Sequence, residues 1–336
     1  MAEFVLGVML LALVMYAVLA GADFGAGMIE PFVGGQRTVD VALAPVWEAN
    51  HVWLVLSVVL AFVGFPEFYA RASTYLHLPL LGVLLGIVAR GTAFTFRHYD
   101  PEPGSLRRWY TRMFRAGSLL TPLCLGLTLA ATAAGRFPGD LRAGYYAVYV
   151  APWNTAFGWA TGAFVCALFA FEGAALLSAE RAQAGLPLPY LNLARALHLF
   201  TIGCGAGVFA VAYLQGLAWF DALWHSPAAL VAMTVATLLI PWVARAFDRG
   251  KPWLLRGVMG VQVACVFLGF VAAQYPVLMR IDGGALTYRA AAAPPATLRA
   301  LIWALVLGLP LVVPALIVLI RIYKRGDEDI DVSGHA

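Results

Sequence analysis

Asp23 lies deep in the run from Phe4 to Ile29, which carries no other charge, and the next Lys or Arg is Arg37. A counter-charge for it has to come from a distant segment. Charged groups at mid-bilayer cost roughly 2.5–3.5 kcal/mol on insertion scales, so they are usually functional or paired. Two readings stay open for Asp23: a protonatable carboxyl within a span, or a helix that stops near Ala22 and leaves Asp23 among the headgroups. The densest polar constellation follows at Trp47-Glu48-Ala49-Asn50-His51-Val52-Trp53-Leu54. Glu48 and His51 are three apart, so on a helix they share a face and can exchange a proton. Trp47 and Trp53 suit an interfacial belt. A helix cap needs one polar side chain, and this run has three.

Arg90 follows seven apolar or glycine residues, and Glu172 sits at the corresponding depth of a later apolar run. Asp23, Glu48, Asn50, His51, Arg90 and Glu172 then fall at one level of the membrane. Acids, an imidazole and one counter-charge at a common depth suit proton uptake, and equally a buried ion-pair network that locks helices together. The other candidates read more plainly. Glu67, beside Pro66, is expected at an interface, Gln262 as an interhelical hydrogen-bonding residue, and His77 and His198 as structural rather than haem-ligating. Cys124, Cys166, Cys204 and Cys265 occur singly and read as small packing residues.

The elements that must position these groups are membrane helices. Of 336 residues 62% are apolar and 12% charged, against about 45–50% and about 25% in soluble chains. Nine spans of about 20 residues fit ~30 Å of hydrocarbon: near 4–29, 50–70, 75–96, 114–135, 155–178, 192–216, 227–246, 254–275 and 299–322. Backbone in lipid satisfies its own hydrogen bonds, so the spans are helices. Basic residues concentrate on alternate loops (Arg97, Arg107, Arg108, Arg112, Arg115; Arg181, Arg195; Arg245, Arg249, Lys251, Arg256). They place the N-terminus outside and the C-terminus in the cytoplasm. The net charge of +4 follows this sidedness and gives no reason to expect nucleic acid.

The first span lacks the basic start and short apolar core of a cleavable signal. No soluble domain is expected. The bundle occupies 1–325, and the polar tail 326–336 is expected to be disordered. Gly21-Ala22-Asp23-Phe24-Gly25-Ala26 and Ala170-Phe171-Glu172-Gly173-Ala174-Ala175 both set an acid before small residues near the inner end of a helix. Two parallel four-helix units, about 1–136 and 150–276, plus a ninth peripheral helix at about 299–322 accommodate that similarity. Small residues such as Gly21 and Gly25 also let helices approach closely. There is no phosphate-binding loop, zinc-protease motif, covalent haem motif or dinucleotide fingerprint.

The chain resembles subunit II of cytochrome bd-type quinol oxidases, including the cyanide-insensitive branch. Gly21-Ala22-Asp23-Phe24-Gly25-Ala26-Gly27-Met28 matches the family pattern G-x-D-x-G-x-G-M. Ala44-Pro45-Val46-Trp47-Glu48-Ala49-Asn50-His51-Val52-Trp53-Leu54 matches P-x-W-[DE]-x-N-x-x-W-L, and the stretch from Phe62 to Tyr69 is also similar. These motifs cover the first fifth of the chain. The resemblance implies a nine-helix subunit of a bacterial-type cell membrane, paired with a homologous subunit I. That partner holds b-type haems and a d-type haem, or b-type haems only; small single-helix accessory subunits are possible companions. The complex oxidises quinol and reduces dioxygen to water with cytoplasmic protons. Subunit II itself ligates no haem, and the acids at Asp23 and Glu48 resemble those of a proton route. Some members hold a structural quinone, for which Trp47 and Trp53 are the candidate contacts here. His51 stands where the family commonly has Gln or Glu, and Glu48 where many members have Asp. The rival from another class is a secondary transporter, for whose broken helices Pro79, Pro122, Pro241 and Pro310 leave room. A purely structural scaffold is the third.

Overall fold

The computed structural model describes residues 1–33, 36–99, 105–135, 137–183, 190–248, 252–281 and 284–333. Its long helices are α1 (Ala2–Ile29), α2 (Gln36–Gly64), α4 (His77–Tyr99), α5 (Ser105–Ala134), α7 (Ala156–Gln183), α8 (Leu191–Leu214), α10 (Pro227–Asp248), α11 (Pro252–Gln274) and α13 (Pro295–Ser333). Short helices α3 (Pro66–Tyr75), α6 (Tyr145–Tyr149), α9 (Ala218–His225) and α12 (Tyr288–Ala291) join them. Strands β1 (Val277–Ile281) and β2 (Gly284–Thr287) pair antiparallel. The chain is an all-α membrane bundle. Among the described residues eight helices are long and apolar enough to cross a bilayer, or nine if the bent pair α2–α3 counts as one span.

Burial ranks the helices. In the most apolar stretch of α7, 61% of residues are buried, and of α5 56%, against 17% for α10 and 11% for α13. The first two are central, and the last two lie at the periphery. The axis of the bundle is the seam between α1 and α7. There Gly25 and Gly173 bring the two backbones together so closely that a Cβ on either would overlap the other helix's main chain. This is the close approach expected of small residues four apart.

One end of the bundle carries Arg97, Arg115, Arg195, Arg245 and Arg256. The opposite end is a cap of short elements tied together by hydrogen bonds. Tyr75 donates to the Pro138 carbonyl (2.6 Å), Trp219 to Phe270 (3.1 Å), and Gln274 to Thr132 (3.1 Å) and Leu278 (2.9 Å). The Tyr288 hydroxyl donates to Glu3 Oε1 at 2.6 Å, and Arg289 Nε donates to that hydroxyl at 2.9 Å, tying α12 to the start of α1. The hydrogen bonds to Glu3 and Tyr275, and then burial, hold the Tyr288 phenol neutral, pushing its pKa up to about 12.

Two expectations need correction. The second span does not run to 70. It ends at Gly64, and the chain bends by 112° into α3, because the residue before a proline is driven out of the helical region and Phe65 takes φ −135°, ψ 60°. Glu67 then lies exposed on α3, paired with Arg71 at 2.6 Å. Beyond 325 the backbone stays helical to Ser333.

Candidate functional site

Asp23 is on the last two turns of α1, fully buried, so the headgroup reading fails. Its Oδ1 receives Arg90 Nη2 from α4 at 2.6 Å, its Oδ2 receives Asn50 Nδ2 from α2 at 2.8 Å, and its carbonyl receives Arg90 Nη2 at 3.1 Å. Arg90 Nε donates to Ser118 Oγ of α5 at 3.1 Å, and Ser118 in turn to the Phe114 carbonyl. The guanidinium lies 4.9 Å from the Phe24 ring centre and 4.8 Å from that of Phe114. Four helices therefore converge on one ion pair, both of whose side chains are at most 2% exposed. A lone buried charge is expensive, and here the cost is met by an opposite charge, two polar side chains and two aromatic faces. Gly27 supplies the room: a side chain there would overlap Ser118.

A second rung lies seven residues along. Glu30 is 2% exposed, and its Oε2 receives Arg97 Nη1 at 2.6 Å. Its Oε1 receives Arg115 Nε at 3.1 Å and Nη2 at 3.0 Å. Both acid–arginine pairs join the end of α1, where Glu30 is the residue just past Ile29, to α4 with a sequence separation of 67. The two helices run the same way, and a seven-residue step returns each to nearly the same face. This rung was not anticipated from sequence. Its signal was present as the repeated spacing Asp23/Glu30 against Arg90/Arg97.

Glu172 is at the expected depth but on the other flank of α1. It is fully buried, and its carboxyl lies against the backbone of Gly21, where a side chain would overlap Glu172 Oε2 and Phe169. Gly21 and Asp23 are about 200° apart around the helix. Among the described residues neither Glu172 oxygen has a hydrogen-bond partner. The structure thus brings together Asp23, Asn50 and Arg90 and sets Glu172 apart. His51 follows Asn50 on α2 and is half-buried. Trp53 packs against the core formed by Tyr16, Ala20, Phe24 and Phe169. The side chains of Trp47 and Glu48 lie outside the described residues; only the helical backbone is given there.

The histidines considered as ligands have other surroundings. His77 Nδ1 is 2.9 Å from the Thr74 carbonyl. His198 stacks on Phe171 at 4.8 Å, with Phe247 behind it. No group of three or more His, Cys, Asp or Glu residues that could hold a metal ion occurs among the described residues. Gln262 donates across helices to the Ala236 carbonyl at 3.1 Å, as expected. All four cysteines are free.

Residues 1–323 match the family model described as cytochrome bd terminal oxidase subunit II. The chain is 35% identical over 113 residues to cytochrome bd ubiquinol oxidase subunit 2 of Bacillus subtilis, covering 32% of this chain and 33% of that protein. It is 30% identical over 119 residues to cytochrome bd-I ubiquinol oxidase subunit 2 of Escherichia coli K12, covering 34% of this chain and 31% of that one. The matched stretch spans about a third of each curated relative. The fold is similar to a chain in the structure of bd oxidase from Geobacillus thermodenitrificans, with TM-score 0.79 at 21% identity, over 96% of this chain and 98% of that one. A buried carboxylate cluster between parallel membrane helices and a family match over nearly the whole sequence agree, and the chain belongs to the cytochrome bd terminal oxidase subunit II family.

Proposed function

We propose that this chain is the non-haem subunit of a heterodimeric membrane complex that oxidises quinol and reduces dioxygen to water. In this reading it supports a haem-bearing subunit I and guides protons inward from the cytoplasm through Glu48, His51, Asn50 and Asp23, with Arg90 and Glu172 as further participants. The haems, b with d or b alone, belong to the partner and supply the redox chemistry; this chain's residues bind, orient and move protons. The arginine-rich end faces the cytoplasm, so the N-terminus is outside. Two four-helix units with α13 as the peripheral ninth helix complete the proposed organisation. A quinone resting on Trp47 and Trp53, and small accessory subunits, are proposals of the same standing.

The observation that carries the reading is the Asp23 cluster. A structural ion pair needs only its two charges, yet this one adds an Asn50 amide whose own Oδ1 has no partner among the described residues. Buried charge along α1 also gives out in one direction. From the arginine-rich end it passes Glu30, then Asp23 with Asn50, Arg90 and Ser118. Toward the opposite end the buried positions of α1 become Ala12, Met9, Leu6 and Val5. A pathway opening at one side only suits delivery to a partner within the membrane. The transporter reading has no comparable support: Pro122, Pro241 and Pro310 lie inside continuous helices, and the described break, at Pro66, is at a helix end. The test is Asp23→Asn in the assembled complex. Quinol-driven oxygen uptake should fall at least tenfold while haem spectra stay normal; normal turnover with normal spectra removes the reading.

A further inference from the structure

Buried hydroxyls in membrane helices usually bond back to their own helix, as Ser57, Ser118, Thr161 and Ser178 do here with the carbonyl four residues earlier. Beyond the Asp23 cluster, on the side away from the arginines, four buried groups have no hydrogen-bond partner among the described residues: the Tyr16 hydroxyl, Thr121 Oγ1, the Glu172 carboxyl and Gln215 Oε1. Tyr16 is seven residues from Asp23, about 10 Å farther along α1 and on nearly the same face. Its ring packs with Phe24 and Phe169, with Trp53, Ile87 and Leu125 around it. It also lies within electrostatic reach of Asp23 and Arg90. Glu172 reaches α1 at Gly21, between Asp23 and Tyr16 in height, and Phe169, one turn before Glu172, touches the Tyr16 cluster. Past Tyr16 the buried face of α1 is wholly apolar.

Both Asp23 oxygens are already engaged, by Arg90 and by Asn50, so a proton arriving there needs an onward acceptor. We propose that Tyr16 and Glu172 are the proton-transfer groups that follow Asp23 and form the far end of this chain's route. The proposal rests on the proton-route reading above. Each group works by exchange. The Tyr16 oxygen accepts an incoming proton on a lone pair and releases its own O–H proton on the other side. Glu172 gains a proton on one oxygen and gives one up from the other. Neither group changes its charge over the full step, and no electron moves. A purely structural role would be served better by apolar residues, since polar atoms left unmatched in the tightest seam of the bundle destabilise it.

The experiment uses the assembled two-subunit complex with Tyr16→Phe, Glu172→Gln and, for comparison, Asp23→Asn. Oxygen uptake is driven by quinol in H2O and in D2O, with haem spectra recorded. Tyr16→Phe removes one oxygen and Glu172→Gln is isosteric, so either keeps the packing. Support is unchanged spectra and quinol KM, kcat lowered at least tenfold in both variants, and a larger slowing in D2O than the unaltered complex shows. Wild-type kcat in both, lost haem in both, or a lower kcat with an unaltered D2O ratio overturns the proposal. If Asp23→Asn is slow while both variants run at full rate, this extension alone fails. If Asp23→Asn also runs at full rate with normal spectra, the underlying route fails with it.

Discussion

Removing Arg90 should cost far more than removing the charge of its partner. At 2.6 Å and an effective dielectric of about 20, two unit charges attract by about 6 kcal/mol. Most of that offsets their desolvation, so the pair's net worth is small while the loss of one member is large. Arg90→Leu strands the Asp23 carboxylate with Asn50 as its remaining side-chain donor and frees Ser118; breaking a buried pair in this way costs about 3–5 kcal/mol. Asp23→Asn should be milder, about 2–3 kcal/mol, because Arg90 keeps Ser118, the residue 23 carbonyl and the faces of Phe24 and Phe114, and a desolvated cation–π contact is worth up to about 2 kcal/mol. Combining Arg90→Leu with Asp23→Asn removes the stranded charge and should bring the loss below that of Arg90→Leu alone. The assay is the denaturation midpoint of the complex, followed by far-ultraviolet circular dichroism, as a double-mutant cycle. An Arg90→Leu cost under about 1 kcal/mol, or a double variant as costly as the two singles summed, would refute the reasoning.

Three further outcomes are expected. Gly173→Ala should destabilise the α1–α7 seam by about 1–3 kcal/mol or more through overpacking, read as a lower melting midpoint, whereas Gly207→Ala, with open space around it, should leave the midpoint unchanged. Glu30→Gln should cost about as much as a broken buried pair, about 3 kcal/mol, since two arginines lose one carboxylate; a matching loss in Arg97→Leu but not in Arg71→Ala, whose exposed pair is worth under about 1 kcal/mol, separates buried from surface pairs. The Tyr288 clasp holds a proton more firmly folded than unfolded, so its contribution is present below the ordinary tyrosine range and fades as pH rises toward about 12. Ultraviolet titration should show one late tyrosinate that Tyr288→Phe deletes, and its absence would contradict the clasp.

The apolar runs made the bundle legible, because a lipid solvent leaves a chain few choices beyond the helix. Asp23 stood out for the same reason, as a charge with no local partner. Its partner was less visible: Arg90 was noticed by depth, but only packing shows that α4 lies where its guanidinium reaches α1. Arg97 and Arg115 were read as loop charges, which hid the Glu30 rung. The turn at Pro66 was masked by the hydrophobicity of Phe65 and its neighbours. The hairpin had its signal in Asp282-Gly283 between β-forming residues. Glu172 was noticed by depth alone, and depth along a helix says nothing about azimuth in a bundle, so its position on the other flank of α1 was not legible.

Proton uptake from the arginine-rich side is the most direct measure of what the Asp23 cluster does. With the complex in liposomes and a pH indicator outside that face, one turnover of oxygen reduction should draw protons promptly in the unaltered protein and much more slowly in Asp23→Asn, at equal haem content. Uptake at an unchanged rate in Asp23→Asn would contradict the account.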